Sequence, residues 1–372
     1  YVSEIPAMTS IKPMIATHLL VDVSAHGLGH LAQVAPVLNA LGARLPKLRI
    51  SLRSGLSSSQ LRARIVTTFT HLPGASDFGY VMRDATRVDL AATALAYQRQ
   101  HADWEQLLAR ETAFLAALGP DLVLSDVAYL PLAGAQRARI PSIAMCSLNW
   151  AELFAHFFAS EPWAAPIHHE MLAAYNSTEF FLRLAPAMPM ADLRRLRNIG
   201  PVAAIGRSPR RELREKLGCA PDERLLLVAF GGFDKRLSIA DWPLAGKLRW
   251  LVPQSWHSAC PDAHALEGLG LAFTDLICSV DAVLTKPGYG TFTEAACNGT
   301  PVLYLRRDNW PEQEPLIAWL EKNARCRAID ESELSASSIA GALDDLFRQT
   351  APPIPQAGGA DAAAAILADC LS

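Results

Sequence analysis

The sequence lacks the features that would assign the chain to a membrane, a nucleic acid or a P-loop kinase. It has no run of about eighteen apolar residues, so a membrane-spanning helix is not predicted. Its net charge is −3, and no cluster of Lys and Arg with interleaved aromatic residues occurs, which argues against nucleic acid as a partner. The absence of a G-x-x-x-x-G-K-[ST] loop argues against a P-loop kinase.

The cysteines are scattered and odd in number. The seven cysteines form neither a C-x-x-C pair nor a Cys/His spacing typical of zinc. We therefore expect no metal site, and free buried thiols in a reducing compartment, the cytoplasm. Residues 1–7 lack the basic region and apolar core of a signal peptide, and Met8 is the expected native start.

What the sequence does contain is an alternation of apolar runs with segments of helical periodicity. Parallel sheets covered by helices give this pattern, so the predicted fold class is α/β. A chain of 372 residues is long enough for two domains. A long helix, bent or split, is predicted over residues 86–118 and a final helix over 360–371. The predicted strands are 15–23, 48–52, 121–126, 142–146, 225–230, 281–284 and 302–305.

The domain boundary is placed near residues 200–209, where Gly and Pro interrupt the helical patterns. It separates an amino-terminal domain, residues 8–200, from a carboxy-terminal domain, residues 201–350. Residues 351–372 are interpreted as a connector rich in Pro, Gly and Ala, followed by the final helix. Each domain is then expected to hold one parallel sheet.

The segment 285–294 is the most informative part of the sequence. A predicted strand ends at Lys286, a loop with Gly288 and Gly290 follows, and a helical pattern begins at Thr291 and carries Glu294 one turn in. Glycines let a ligand approach the backbone, and a helix N-terminus favours the anionic phosphates of a nucleotide. A carboxylate one turn in can accept hydrogen bonds from both ribose hydroxyls. The alternative is an ordinary strand, turn and helix with a glycine-rich corner.

This segment resembles the donor-binding motif of GT-B glycosyltransferases, including plant secondary-metabolite glucosyltransferases and the muropeptide N-acetylglucosaminyltransferase. The resemblance continues through a Gly-x-Pro element at 299–301 and a strand to Glu312 and Gln313, which it implies touch the donor sugar. Lys286 replaces the His of the plant enzymes and suits a phosphate. Tyr289 replaces their Trp, and Glu312 replaces their Asp, which leaves the sugar open.

The resemblance also implies two Rossmann-like domains facing a cleft, with the last helix crossing back to the first domain. In the amino-terminal half, Gly29 and His30 resemble the Gly-His element whose His is the catalytic base, and Asp126, at the end of a strand, stands where the family has the Asp that orients it. His30 alone could equally cap a helix. His26 could touch the acceptor or hold the loop.

Several further residues are open to two interpretations. Gly231 and Gly232 follow the first strand of the second domain and either contact the diphosphate or form an ordinary turn. Arg306 and Arg307 either supply a cation or lie on the solvated surface. An aromatic stretch after residue 149 is either core or a wall for the acceptor, with Trp150 and Phe154 as acceptor-binding candidates. The donor-binding candidates together are Gly231, Gly232, Lys286, Gly288, Tyr289, Gly290, Thr291, Glu294, Glu312 and Gln313.

The resemblance implies an inverting, metal-independent glycosyltransferase that moves a hexosyl or N-acetylhexosaminyl group from a nucleoside diphosphate sugar, UDP-linked, to an acceptor hydroxyl. The acceptor is a small molecule or a lipid-linked one, and peripheral membrane contact stays open. The nucleotide sugar is a co-substrate, and no other cofactor is expected. Two alternatives are a nucleotide-sugar epimerase or hydrolase of the same fold and a non-catalytic domain that senses nucleotide sugars, like the glycosyltransferase-like region attached to some sugar kinases.

Overall fold

Two parallel sheets form the framework of the chain. The structure is a computed structural model, and it describes residues 17–231, 247–256, 260–334 and 336–372. The strands of the first sheet are β1 (His18–Val23), β2 (Arg49–Ser54), β3 (Thr70–Pro73), β4 (Leu122–Asp126), β5 (Ser142–Cys146), β6 (Phe180–Leu184) and β7 (Leu196–Ile199). Those of the second are β8 (Arg224–Ala229), β9 (Leu248–Val252), β10 (Ala263–Ala265), β11 (Ala282–Thr285), β12 (Val302–Leu305) and β13 (Cys326–Ile329).

Helices cover both sheets, as the alternating pattern predicted. The first group is α1 (Gly29–Arg44), α2 (Ser58–Arg62), α3 (Leu90–Ala102), α4 (Trp104–Leu118), α5 (Leu130–Ala138), α6 (Trp150–Phe158) and α7 (Ala164–Asn176). The second group is α8 (Arg210–Lys216), α9 (Phe273–Ser279), α10 (Tyr289–Cys297), α11 (Gln313–Asn323), α12 (Ala336–Arg348) and α13 (Gly359–Cys370). The helix predicted over 86–118 is split at Asp103, which ends α3 and precedes α4.

The strand orders are β3-β2-β1-β4-β5-β6-β7 and β10-β9-β8-β11-β12-β13, and all pairings between neighbours are parallel. Each order reverses direction once, between β1 and β4 in the first sheet and between β8 and β11 in the second. In open parallel sheets, ligands bind in the crevice at the carboxyl ends of the strands at such a reversal. The topology therefore supplies two crevices, one in each sheet.

The predicted strand bounds need small corrections. Residues 15 and 16 lie outside the described part of the chain, and β1 begins at His18. The strand predicted over 48–52 runs over Arg49–Ser54, because Arg53 at its end is held in place by Asp22 and Glu111. The two sheets occupy residues 18–199 and 224–329. The proposed domain boundary lies between them and stays a prediction.

The final helix, α13, packs against α1 of the first sheet, as the resemblance implied. Its start fits against the chain at Gly200, where a Cβ atom at Gly359 would lie 2.2 Å from the Gly200 carbonyl oxygen. The Gly359 amide donates to the Pro201 carbonyl at 3.0 Å. Ala363 and Leu367 are completely buried in the same core as α1. Small residues at this crossing let the last helix approach closely enough to complete that core.

The cysteine prediction is correct in part. All seven cysteines lie in the described ranges, and none of them forms a disulfide. Cys146, Cys260 and Cys297 are buried as expected, but Cys370 is exposed and the other three are half-buried. Within the part of the chain that the structure describes, no helix has the length and apolar character needed to cross a membrane.

Candidate functional site

The two crevices open toward each other. The amino-terminal crevice lies at the ends of β1 and β4, and it contains the loop 24–28, His30 and Asp126. The carboxy-terminal crevice lies at the ends of β8 and β11, and it contains Gly231 and Lys286. The Leu28 amide donates to the Gly231 carbonyl at 3.2 Å, which joins the two loops directly. The loop that precedes His30 and the turn that precedes Gly232 therefore meet at the ends of the two sheets.

His30 and Asp126 form a buried pair in the amino-terminal crevice. His30 Nδ1 lies 3.0 Å from Asp126 Oδ1, and the two residues are 4% and 0% exposed. Burial alone would lower the pKa of His30, but the charge of Asp126 and its hydrogen bond raise that pKa above its ordinary value. The contact occupies Nδ1 and leaves Nε2 as the nitrogen able to take a proton from a ligand.

His26 lies beside this pair, between aromatic residues of both halves of the chain. Its ring stacks on Trp310, with ring centroids 6.0 Å apart, and meets Trp150 edge-on at 5.4 Å. Burial lowers the pKa of His26 well below its ordinary value, and the charges of His30, Arg307 and Lys286 lower it further. His26 is therefore neutral, and both interpretations from the sequence, acceptor contact and loop support, stay open.

Lys286 is a buried cation in the carboxy-terminal crevice. A Cβ atom at Gly231 would lie 3.8 Å from its Nζ, and one at Gly288 would lie 3.5 Å away, so the amine rests over two stretches of bare backbone. Gly231 also has φ of +74°, which favours glycine there. Lys286 is 9% exposed, and burial, with the nearby Arg307, lowers its pKa to about 7. Among the described residues Nζ has no hydrogen-bond or ion-pair partner. Gly232 lies outside the described residues.

Helix α10 contacts the first domain instead of presenting an open face to the cleft. A Cβ atom at Gly290 would lie 2.5 Å from the Cβ of Ala32 on α1. The Tyr289 hydroxyl donates to the Ala185 carbonyl at 3.0 Å and accepts from the Val202 amide at 2.9 Å. These two predicted donor-binding residues therefore join the two halves of the protein, a contact that the sequence did not indicate.

Glu294, predicted to hold the ribose, already has a partner. Arg64, in the turn after α2, donates to both of its carboxylate oxygens, at 2.5 and 3.1 Å. Glu294 is 1% exposed, and the Arg64 guanidinium also lies over the Phe273 ring at 5.4 Å. Thr291, in the first turn of the same helix, is half-buried. A ribose can reach Glu294 only if Arg64 moves.

Glu312 and Gln313, which the resemblance places against the sugar, lie in the cleft wall. The two oxygens of Glu312 accept from Ser147 Oγ at 2.8 Å and from Trp310 Nε1 at 3.0 Å. The side-chain amide of Gln313 accepts from the Arg307 amide and donates to the Arg307 carbonyl, both at 2.9 Å. Gln313 therefore fixes the backbone that carries Arg307.

The two acceptor-binding candidates differ in their surroundings. Trp150 is completely buried, but its ring meets that of His30 at 5.7 Å, and its Nε1 donates to Asp77 Oδ2 at 2.8 Å. Phe154 is also completely buried and packs against Tyr97 at 5.1 Å in the core behind the cleft. The role of Phe154 in an acceptor wall stays a prediction, and in this structure its ring belongs to the aromatic core.

The sequence did not single out Asp77 or Cys146. Burial raises the pKa of Asp77 to about 6, with the charge of Asp22 adding to the shift. Cys146 ends β5, the strand beside β4, and its Sγ lies 3.8 Å from His30 Nδ1. Its position at a strand end next to Asp126 was a usable signal.

One group in the described ranges brings three potential metal ligands together. The ligand atoms of His30, Asp126 and Cys146 all lie within 4.8 Å of one another, and all three residues are buried. In this arrangement His30 Nδ1 is already bound to the Asp126 carboxylate. An ion at this position would have to replace that contact.

Comparison with known proteins gives partial matches in sequence. No family model matches the chain. An L-arabinokinase of Arabidopsis thaliana is 28% identical over 323 residues, 80% of this chain and 29% of the kinase. An uncharacterized glycosyltransferase of Methanopyrus kandleri is 28% identical over 176 residues, 44% of this chain and 50% of that protein. The matched segments thus span between about a third and a half of these relatives.

Solved structures match almost the whole chain. The glycotransferase of kitacinnamycin has a TM-score of 0.62 at 16% identity, over 96% of this chain and 100% of its own. The calicheamicin glycosyltransferase CalG4 has a TM-score of 0.60 at 17% identity, over 96% and 99%. A UDP-glucosyltransferase from Polygonum tinctorium has a TM-score of 0.58 at 17% identity, over 97% and 99%. These matches confirm the predicted GT-B fold of two Rossmann-like domains.

Proposed function

We propose that the chain is a glycosyltransferase that binds a nucleoside diphosphate sugar in the cleft and transfers the sugar to an acceptor hydroxyl with inversion. The observation that carries this proposal is the position of the His30 and Asp126 pair opposite Lys286. A base held by a carboxylate accompanies a buried cation that has no hydrogen-bond or ion-pair partner within the described ranges. Proton removal and anion binding are the two tasks that sugar transfer from a diphosphate requires.

In the proposed reaction, His30 Nε2 takes the proton of the acceptor hydroxyl. The acceptor oxygen then forms a bond to the anomeric carbon as the bond from that carbon to the diphosphate oxygen breaks. Asp126 holds the imidazole through Nδ1 and stabilises the imidazolium that forms. Because attack and departure occur on opposite sides of the anomeric carbon, the configuration inverts.

Lys286 stabilises the negative charge that develops on the leaving diphosphate. Its Nζ lies over the backbone at Gly231 and Gly288, where a phosphate can approach without a side chain in the way. The N-terminus of α10 adds a favourable electrostatic contribution at the same position. These groups supply the charge stabilisation in the proposed mechanism, so it requires no divalent cation.

UDP is the proposed nucleotide, and a hexosyl or N-acetylhexosaminyl group the transferred sugar. The fold match to a UDP-glucosyltransferase supports this choice, as does the match to an Arabidopsis thaliana protein whose structure contains UDP. Glu294 is proposed to bind the ribose after its ion pair with Arg64 opens. The acceptor is proposed to be a small molecule or a lipid-linked one that enters beside Trp150, and the location is proposed to be the cytoplasm.

The first test is a calorimetry and thermal-shift panel of UDP, GDP, dTDP, CMP and their sugar conjugates on the wild type and on Lys286→Met. We expect UDP and its conjugates to bind the wild type and to bind the variant more weakly. Release of UDP is then measured with candidate acceptors. If no nucleotide binds the wild type, the proposed function is wrong and only the fold is shared.

The second candidate function is a non-catalytic module that binds nucleotide sugars. The match to L-arabinokinase favours it, because 80% of this chain corresponds to only 29% of a protein named as a kinase. This candidate predicts binding of the nucleotide sugar without UDP release for any acceptor. An isomerised or hydrolysed sugar after incubation with the donor alone would instead favour an epimerase or hydrolase.

A further inference from the structure

Arg307 is a buried cation with no ion-pair partner among the described residues. It follows the end of β12, and it is only 6% exposed, whereas its neighbour Arg306 is exposed and pairs with Glu314. Its guanidinium lies 3.9 Å from the centre of the Trp310 ring. Its Nε and Nη2 atoms are buried and have no hydrogen-bond partner among the described residues. Two adjacent N–H donors of Arg307 can therefore bind an acceptor supplied by a ligand.

The carboxylates near Arg307 are already engaged by other groups. Asp84 Oδ1 accepts from Thr86 at 2.7 and 2.8 Å, and Asp84 Oδ2 accepts from Arg87 Nε at 2.7 Å. Glu312 uses both oxygens for Ser147 and Trp310. These acids act on Arg307 only at a distance, and they do not satisfy its N–H groups. Burying an unpaired cation costs free energy, so such a group is expected to meet its partner in a ligand.

Arg307 cannot easily leave this position to find a partner elsewhere. The Gln313 side chain holds the Arg307 amide and carbonyl with two hydrogen bonds. Trp310 supports the guanidinium from one side and is itself stacked on His26. The guanidinium is thus fixed beside the aromatic residues that line the amino-terminal crevice.

Lys286 and Arg307 lie at different strand ends and would contact different groups of a bound ligand. Lys286 lies over the glycines at the ends of β8 and β11, and Arg307 lies at the end of β12, the next strand of the sheet. Glu312 is the acid that acts on both cations, and it is a single charge. Asp84 acts on Arg307 as well. With the diphosphate held at Lys286, the position of Arg307 at the end of the next strand suits a second acidic group of the ligand.

We propose that Arg307 binds a carboxylate on the sugar, so that the donor is a nucleoside diphosphate uronic acid. This inference rests on the proposed function and specifies its substrate class. The Nε and Nη2 edge of a guanidinium matches the two oxygens of a carboxylate or a phosphate. Because the phosphates of the donor are held at Lys286, we assign the acid at Arg307 to a carboxylate of the sugar. The carboxylate is unchanged in the reaction: the anomeric carbon exchanges the diphosphate oxygen for the acceptor oxygen, and His30 takes the proton.

The test compares matched sugars that differ in one acidic group. Binding of UDP-glucuronate against UDP-glucose, and of UDP-galacturonate against UDP-galactose, is measured by calorimetry on the wild type, Arg307→Gln, Arg307→Lys and the control Arg306→Gln. We expect the wild type and the control to bind one uronate roughly 10- to 100-fold more tightly than its neutral partner, the range for charge-assisted hydrogen bonds. Arg307→Gln should remove this preference and leave UDP binding unchanged, and Arg307→Lys should keep part of it.

The possible outcomes separate this proposal from the proposed function. If UDP binds but the wild type shows no preference for either uronate, or if the preference survives in Arg307→Gln, the assignment of Arg307 is wrong and the proposed function stands. If Arg307→Gln weakens UDP and all four sugars equally, Arg307 binds the diphosphate, which also overturns the proposal. If neither UDP nor any sugar binds the wild type, the proposed function itself fails. Melting temperatures of the variants check folding, and Arg307→Lys keeps the test decisive if Arg307→Gln is unfolded.

Discussion

The two crevices of this protein have the same topology but opposite electrostatic states. In the amino-terminal crevice the charged group is paired, because His30 and Asp126 contact each other at 3.0 Å. In the carboxy-terminal crevice the cation Lys286 has no partner among the described residues. A strand reversal therefore provides a place for a ligand, but the side chains at the strand ends decide what kind of interaction it offers.

The difference assigns separate tasks to the two crevices. A base paired with a carboxylate can hold or transfer a proton, but it contributes little binding free energy to an anionic ligand. An unpaired buried cation contributes a large binding free energy to an anionic ligand, because the ligand supplies the negative charge that the protein lacks. Substitutions in the two crevices should therefore affect different kinetic quantities, and that separation can be tested directly.

The largest expected effect is on turnover, from the amino-terminal crevice. His30→Gln should lower kcat by roughly 10²- to 10⁴-fold, the usual contribution of a general base, and should leave the Kd for UDP within about twofold. Steady-state kinetics and calorimetry on the same preparation give both values. The exposed His169→Gln serves as the control. Loss of UDP binding in His30→Gln would contradict the assignment of proton transfer to the amino-terminal crevice and of nucleotide binding to the carboxy-terminal crevice.

Asp126→Asn should produce the next effect, on both rate and pH dependence. Because His30 acts as a base only when neutral, kcat/KM of the wild type should rise with pH through a pKa above 6.5. Asparagine removes the negative charge that raises this pKa and leaves the burial that lowers it, so the rise should move to lower pH. The plateau should fall by about 10²-fold through misplacement of the imidazole. An unmoved pH profile would mean that another group titrates.

Lys286→Met should act on binding, in the carboxy-terminal crevice. We expect the Kd for UDP to rise roughly 10- to 100-fold, because charge-assisted hydrogen bonds to the phosphates are lost. In the protein without ligand, burial lowers the pKa of Lys286 to about 7, and a bound phosphate restores its positive charge. Binding at pH 8 should therefore take up a proton in the wild type and not in the variant, as measured by calorimetry in buffers of different ionisation enthalpy. The exposed Lys322→Met should behave like the wild type in both respects.

The smallest expected effect is a gain of affinity. Arg64→Met removes the group that competes with the ribose for Glu294, so UDP should bind about fivefold more tightly if the ion pair contributes about 1 kcal/mol. Arg62→Met, at the end of α2, is the matched control. Unchanged or weaker binding would show that the ribose does not use Glu294. Because the variant leaves Glu294 buried without a partner, a lower melting temperature is also expected.

The sequence predicted the central strands better than the edges of the sheets. The bounds of β5 and β12 match their predictions, because strands covered on both faces are continuous apolar runs. The strands β3, β6, β7, β9, β10 and β13 were missed. Four of them, β3, β7, β10 and β13, are the edge strands of the two sheets; they are half-exposed and contain polar residues, so their composition resembles that of loops. The other two, β6 and β9, lie next to an edge and are mostly buried, so exposure does not explain why they were missed.

In the candidate site, too, some contacts could be predicted from the sequence and others could not. The contact between His30 and Asp126 could be anticipated, because His30 follows β1 and Asp126 ends β4, and these strands neighbour each other at the reversal. The ion pair of Arg64 and Glu294 joins residues 230 positions apart and has no local signal. Arg307 could not be told from Arg306, since only the packing of Trp310 and Gln313 buries one of the two.

The docking of α13 on α1 has a consequence for the order in which the protein forms during synthesis. Chains fold largely from the amino terminus as they emerge from the ribosome. The buried positions Leu38 and Leu41 of α1 belong to the same core as Leu367, which is made more than 320 residues later. Until α13 emerges, the nascent first domain has an uncovered apolar face. Shortening the chain before Gly359 should therefore impair the solubility of the first domain more than that of the second.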